Sequence, residues 1–345
     1  MNQFSGGRGN ETDGAEVMRV MVPVLDSLIL VTGMLGHSLA ISIVTGRRRT
    51  QGSRVLHGTD VLLLALGAAD LLLLLCLPFH TAAIALGSWP FGTFLCKAIS
   101  FLGAACSAAS VFTLAALAVT RYLAVVHPTW SYRAFVRRHL KLTAALLWIP
   151  AAALAAPQFA VRVVAESGSL QCFAILGNLD QLVYSAALFL FAFAVPLGVI
   201  VVMYARIYCF LRQMRRLGHA PQLERYQSQV THTSALLVLV FTLCWLPSYC
   251  LMFSLLGRDT KTSPRCRYVA IFIRLMASSA SAVNPVLYVL MSNRFRGDLE
   301  GLGRECWEAF RGCVEGCRWV VLGGDMVQPF NPAEVDTPPL HLPGF

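Results

Sequence analysis

The stretch Cys96–Pro128, CKAISFLGAACSAASVFTLAALAVTRYLAVVHP, decides the fold. Between Lys97 and Arg121 it carries 23 residues without a charge, with no proline and a single glycine, Gly103. A run of that length crosses a bilayer as a helix, the form in which a chain satisfies its own backbone polar groups. At about 1.5 Å per residue, Cys96 and Arg121 stand roughly 37 Å apart, one at each water boundary. Gly103, Ala104, Ala105, Ser107, Ala108, Ala109 and Ser110 crowd the middle, a composition suited to a helix packed by protein on most sides. The stretch predicts the central post of a helical membrane bundle.

The rest of the chain agrees. Its 345 residues are 56% hydrophobic and 13% charged, with a mean hydropathy of +0.62, too apolar for an ordinary soluble domain. Apolar runs recur at about 20–45, 58–86, 98–126, 140–160, 182–210, 232–256 and 268–291, which makes seven. Pro78, Pro196, Pro247 and Pro285 fall inside them and mark expected kinks. The net charge of +10 lies between the runs rather than on one face, so membrane topology explains it and nucleic acid does not. Eleven cysteines are scattered without a CxxC pair, which argues against zinc. A cleavable signal peptide is not expected, because the first run starts near Val17 and is long enough to remain as a span.

The predicted organisation is an all-α membrane protein. It has an extracellular, disordered N-terminus (1–16), a seven-helix bundle (17–291), a short amphipathic eighth helix (292–310) and a cytoplasmic tail (311–345). Eighteen of the 28 Lys and Arg follow runs one, three and five or lie in the C-terminal segment, against eight on the opposite side. That bias puts the N-terminus outside and the C-terminus in the cytoplasm of a multi-pass membrane protein. It makes Asn10, in Asn10-Glu11-Thr12, a glycosylation candidate. Cys306, Cys313 and Cys317 are palmitoylation candidates, with unmodified juxtamembrane thiols as the other reading.

Charges inside a membrane are costly, so each is a functional candidate. Asp70, Arg121 and Arg274 stand out, and His37, Ser110, Ser281 and Asn284 could converge on Asp70 with Trp245 nearby. A carboxylate among hydroxyls and an amide can hold a small cation such as sodium or accept a proton. Periodicity leaves a second reading open, in which these groups are only hydrogen-bonding links between helices.

Strung along the seven runs are Leu66-Gly67-Ala68-Ala69-Asp70, Trp89, Cys96 with Cys172, Thr120-Arg121-Tyr122, Trp148, and Pro196 with Tyr204. They continue with Phe241-Thr242-Leu243-Cys244-Trp245-Leu246-Pro247 and Asn284-Pro285-Val286-Leu287-Tyr288 followed by Phe295. In this order the chain resembles a class A, rhodopsin-like G-protein-coupled receptor over nearly its whole length. The strings TDVLLLALGAADL, LCLPFHTA, WPFGTFLCKAISF and SVFTLAALAVTRYLAVVHP resemble the galanin-receptor branch of peptide receptors, with allatostatin and kisspeptin receptors as neighbours. Gly103 stands where amine receptors carry an aspartate, and the seventh run has no lysine for retinal.

The resemblance implies a non-enzymatic receptor for an extracellular neuropeptide, signalling to heterotrimeric G proteins with the inhibitory class favoured. It implies a Cys96–Cys172 disulfide and a ligand pocket toward Phe79, His80, Gln158, Tyr249, Phe253 and Arg274. At Arg274 a guanidinium would favour an acidic group on the ligand, and an intramolecularly paired or snorkelling arginine is the equal alternative. No resident cofactor is implied beyond an allosteric sodium at Asp70, Ser110, Ser281, Asn284 and His37. The implied activation switch comprises Thr120, Arg121, Tyr122, Tyr204, Phe241, Trp245, Pro247, Asn284, Pro285 and Tyr288.

Two positions depart from the resemblance: His37 stands where the family carries Asn, and Thr120 where an aspartate normally precedes the arginine. The second suggests raised basal activity or altered coupling. After Phe310 the only hydroxyl side chain is Thr337, so tail-dependent arrestin recruitment is expected to be weak. A transporter is the rival from another class, and the lack of an inverted repeat argues against it. A receptor that has lost signalling and acts as a scavenger is a third reading.

Overall fold

The computed structural model describes residues 6–50, 58–127, 142–166, 170–216, 221–254 and 264–291. Between 296 and 311 it describes residues 296, 297, 299–301, 303, 304, 307, 308, 310 and 311. Among the described residues of the first unit, Met1–Arg296, seven helices follow one another: α1 Gly6–Thr50, α2 Gly58–Leu86, α3 Gly92–Val126, α4 Trp148–Val161, α5 Asn178–Arg216, α6 Pro221–Ser254 and α7 Pro264–Met291. Six stretches are long and apolar enough to cross a membrane, among them Leu142–Val161, which takes in α4 and the helical residues just ahead of it, and α6 adds the shorter apolar stretch Val238–Ser254.

Large apolar side chains lie on the outer faces of the helices as well as in the core. Along α1 the residues Val22, Asp26, His37 and Val44 are buried on one stripe with Gly33, while Val24, Leu28, Val31 and Leu35 are exposed. An α-helix turns once per 3.6 residues, so offsets of four and seven keep the inward set on one face. On α1 the ionisable Asp26 and His37 therefore face in with Val22 and Val44, and the outward face is apolar, as a lipid solvent requires. Two glycines set how closely α1 approaches its neighbours. A Cβ on Gly33 would stand 2.6 Å from a Leu74 methyl, and one on Gly36 would stand 2.9 Å from Pro285.

The central post takes its expected place. Helix α3 packs against α2, α4 and α5, and it buries Ala105, Cys106, Ala108, Ala109 and Ser110. Helix α1 packs on α2 and α7, and α6 on α5 and α7. After α4 the strands β1 Arg162–Glu166 and β2 Leu170–Ala174 pair antiparallel, with Val164 opposite Cys172. Cys172 is disulfide-bonded to Cys96, with Cα atoms 5.8 Å apart, and β1 lies against α3. Trp89, between α2 and α3, donates its backbone N–H to Leu170 O at 2.7 Å and its indole N–H to Gly92 O at 3.0 Å. The hairpin is thus tied to the α2–α3 corner as well as to α3.

Helix α5 is interrupted by a π turn over Leu190–Ala194, where the Val195 N–H reaches back to Leu190 O. Proline lacks an N–H and its ring collides with the carbonyl four residues earlier, so a widened turn just before Pro196 accommodates it.

The N-terminus differs from expectation. Helix α1 begins at Gly6, so most of the segment read as disordered continues the first span, since extending a formed helix costs little once nucleation is done. Asn10 lies on this helix, and its side chain is outside the described ones. In the second unit, Gly297–Phe345, the described residues are helical. There the Trp307 and Phe310 rings lie 6.0 Å apart and the Arg311 guanidinium sits over Trp307. Cys306, Cys313 and Cys317 lie outside the described residues.

Candidate functional site

Four helices bring the expected polar core together. Asp70 sits on the inward stripe of α2, with Leu66 and Leu74 one turn away on either side and Leu62 two turns before it. Its Oδ1 accepts hydrogen bonds from Ser110 Oγ of α3 at 2.8 Å and from Ser281 Oγ of α7 at 3.3 Å. Its Oδ2 accepts from Asn284 Nδ2 at 2.6 Å. His37 of α1 is fully buried; its Nε2 lies 2.9 Å from Ser281 O and 3.4 Å from Asp70 Oδ2. Both neighbours are acceptors, so Nε2 carries the proton and donates to the carbonyl. The imidazole therefore reaches Asp70 mainly through Ser281, rather than by a bond of its own.

Beside this core is a small cavity of about 20 Å³, bounded by Asp70, Ser110, Ser281, Asn284, Phe241 and Trp245. That holds one water or one small ion. A carboxylate and two hydroxyls supply the hard oxygens that sodium or calcium prefers, so the donor set fits a sodium ion.

Around Trp245 the side chains become aromatic. Phe193 stacks on Phe241 with centroids 5.4 Å apart and an interplanar angle of 11°. Tyr249 meets Phe189 and Phe193 at 5.6 and 5.2 Å, and Phe253 meets Phe189 at 5.8 Å. These contacts tie α5, just at its π turn, to α6 on both sides of Pro247. Val111 of α3 completes the cluster.

The expected pocket residues divide among four places. Phe79 packs on Phe91, and His80 lies 6.2 Å from Trp89, under the hairpin. Gln158 links Arg162 Nε, at 2.9 Å, to Tyr184 OH, at 3.2 Å. Burial presses the Arg162 pKa below that of an ordinary arginine. Tyr249 and Phe253 belong to the α5–α6 aromatic cluster. Arg274 is paired in this structure: its Nη2 donates to Asp26 Oδ2 at 2.6 Å.

Asp26 escaped the sequence reading. The signal was present, because VPVLDSLIL places an acid inside the first apolar run, where any ionisable side chain warrants a functional hypothesis.

At the end of α3 away from the disulfide, the Thr120 hydroxyl donates to Leu117 O at 2.9 Å, within its own helix. Arg121 is half-buried and has no ion-pair partner among the described residues. Tyr122 packs edge-on to His127 at 5.8 Å. Tyr204 is buried in the α2–α3–α5 core. Asn284 bonds Asp70, and Pro285 is buried next to Gly36. The Tyr288 side chain is outside the described ones.

A disulfide-pinned hairpin at one end, an arginine at the foot of α3 and a polar core between them, inside seven apolar helices, define a membrane signalling receptor. The family described as "7 transmembrane receptor (rhodopsin family)" matches residues 37–288, and the chain belongs to it. This is a multi-pass class of G-protein-coupled receptors, not of enzymes. Among relatives, the mouse (Mus musculus) galanin receptor type 2 is 30% identical over 282 residues, covering 80% of this chain and 74% of the relative. The rat (Rattus norvegicus) galanin receptor type 1 is 30% identical over 288 residues, covering 82% of each. Human (Homo sapiens) somatostatin receptor type 3 is 31% identical over 297 residues, covering 84% of this chain and 69% of the relative.

Proposed function

We propose that this protein is a plasma-membrane receptor for an extracellular neuropeptide of the galanin kind, with its N-terminus outside, coupled to inhibitory heterotrimeric G proteins. The observation that carries the reading is the continuous column from Asp70 through the small cavity to Trp245, Phe241 and Phe193. Ligand bound beneath the hairpin would press on this column from outside. Pro247 removes a backbone hydrogen bond in α6, so the helix can pivot there. Outward movement of its inner end would open a cytoplasmic cavity beside Arg121, Tyr204 and Tyr288 for the G protein. Ligand and G protein then bias one two-state element from opposite sides of the membrane.

Within the same reading, Asp70, Ser110 and Ser281 hold a sodium ion in the resting state, with Asn284 and His37 completing the surroundings. The ion would supply a positive charge that neutralises the buried carboxylate. Thr120 leaves Arg121 without the acid that usually restrains it, so basal activity is raised. Asn10 carries a glycan, Cys306, Cys313 or Cys317 a palmitoyl chain, and the tail recruits arrestin weakly.

Nucleotide exchange on added inhibitory G protein, measured in membranes with and without galanin, tests the reading. Galanin-stimulated exchange above a measurable ligand-free rate supports it. A chain silent under both conditions is instead a receptor that has lost signalling.

A further inference from the structure

Asp26, Thr81 and Arg274 meet where α1, α2 and α7 converge. Asp26 precedes His37 by eleven residues on α1 and Thr81 follows Asp70 by eleven on α2, so the cluster lies roughly 16 Å from the polar core. That displacement is toward Trp89 and the disulfide, the end where ligand would enter. Asp26 is only 2% exposed, and its Oδ2 accepts from Arg274 Nη2 and from Thr81 Oγ1. Nε and Nη1 of Arg274 and Oδ1 of Asp26 are buried and have no hydrogen-bond partner.

A guanidinium has five N–H donors and a carboxylate only acceptors. The unfilled N–H groups on Nε and Nη1 therefore outnumber the single unfilled oxygen. Leaving such groups buried and unpaired is costly, and the partner that would satisfy them is rich in acceptors. The nearby charges point the same way, because His80 lies within electrostatic reach of two cations, Arg274 and Arg162, and one anion, Asp26. The Arg274 side chain is 25% exposed while Asp26 is sealed, so of the two it is the arginine that is open to its surroundings.

We propose that Asp26 stands in for a ligand carboxylate: Arg274 is a subsite for an anionic group of the ligand, which displaces Asp26 and releases the tie between α1 and α7. The anion is the carboxylate of an acidic side chain or of a peptide C-terminus. The internal carboxylate competes with the ligand, so apparent affinity is lowered by the fraction of time Arg274 is held. The peptide part of this proposal rests on the receptor reading above. The capacity of Arg274 to take an outside carboxylate does not.

Chemical rescue tests it on the purified receptor in micelles. Asp26→Ala strands a buried guanidinium and should lower the melting temperature by roughly 5 °C or more. Millimolar acetate, which mimics an acidic side chain, or N-acetylglycine, which mimics a chain terminus, should restore at least half of that loss. Neutral acetamide should not, and neither carboxylate should shift the wild type or the double variant Asp26→Ala/Arg274→Gln. Whichever carboxylate rescues better identifies the source.

Asp26→Asn, which keeps the side-chain volume, is measured in parallel in case the alanine variant fails to fold, and should show the same carboxylate-dependent rise. Absence of a carboxylate response in both variants overturns the proposal, as does equal rescue by acetamide or in the double variant. Because no peptide is present, this result and the outcome of the galanin experiment are independent.

Discussion

Replacing Thr120 with aspartate should quiet the receptor in the absence of ligand. The native hydroxyl is committed to Leu117 O at 2.9 Å, so it offers Arg121 neither charge nor acceptor. An aspartate there would add a charge at the foot of α3, beside an arginine with no ion-pair partner among the described residues. Adjacent helical residues do not face each other squarely and this end meets water. The pair is therefore worth about 0.5–1 kcal/mol, as for exposed ion pairs. If the pair forms only in the resting state, the resting-to-active ratio rises by roughly two- to fivefold. The assay is ligand-free nucleotide exchange in membranes at matched receptor density, with Thr120→Asn as an uncharged control that should match the wild type. Equal turnover in wild type and Thr120→Asp would refute the role given to Thr120.

Other expectations follow from the same geometry. Asp70→Asn removes the only carboxylate among the cavity-lining residues, so sodium should lose its effect on ligand-free exchange; retained sodium dependence would place the ion elsewhere. Gly36→Ala sets a methyl 2.9 Å from Pro285 and, as an overpacking change, should cost about 1–3 kcal/mol, read as a melting temperature lowered by several degrees. Cys96→Ser and Cys172→Ser should each destabilise by about 2–5 kcal/mol, and the double variant should match either single one. Additive losses would mean that the two thiols act separately.

The helices and most of the polar core were legible in the sequence because both depend on local pattern. The uncharged run before Arg121 is long enough for one crossing, and the four-residue spacing of Leu62, Leu66, Asp70 and Leu74 puts the carboxylate on a buried face. The partner of Arg274 was not legible, because Asp26 lies 248 positions away and periodicity gives a residue's face without its neighbour. The diversion of His37 onto the Ser281 carbonyl was hidden for the same reason, since it depends on how α1 and α7 are set against each other. The start of α1 was not legible, because polar, glycine-containing composition forms no helix by itself, whereas an adjoining long span can extend one through it. The π turn needed knowledge of the backbone register ahead of Pro196, where composition shows only an apolar run.

The central claim is that α6 swings about Pro247 and exposes Arg121 to the G protein. The direct measurement is the distance between spin labels at Ala124 of α3 and Ser228 of α6, in a background where the exposed Cys209 and Cys250, and with them Cys266, Cys306, Cys313 and Cys317, are serine. Addition of nucleotide-free G protein should lengthen that distance by several ångströms. An unchanged distance in a receptor that still drives nucleotide exchange would contradict the account.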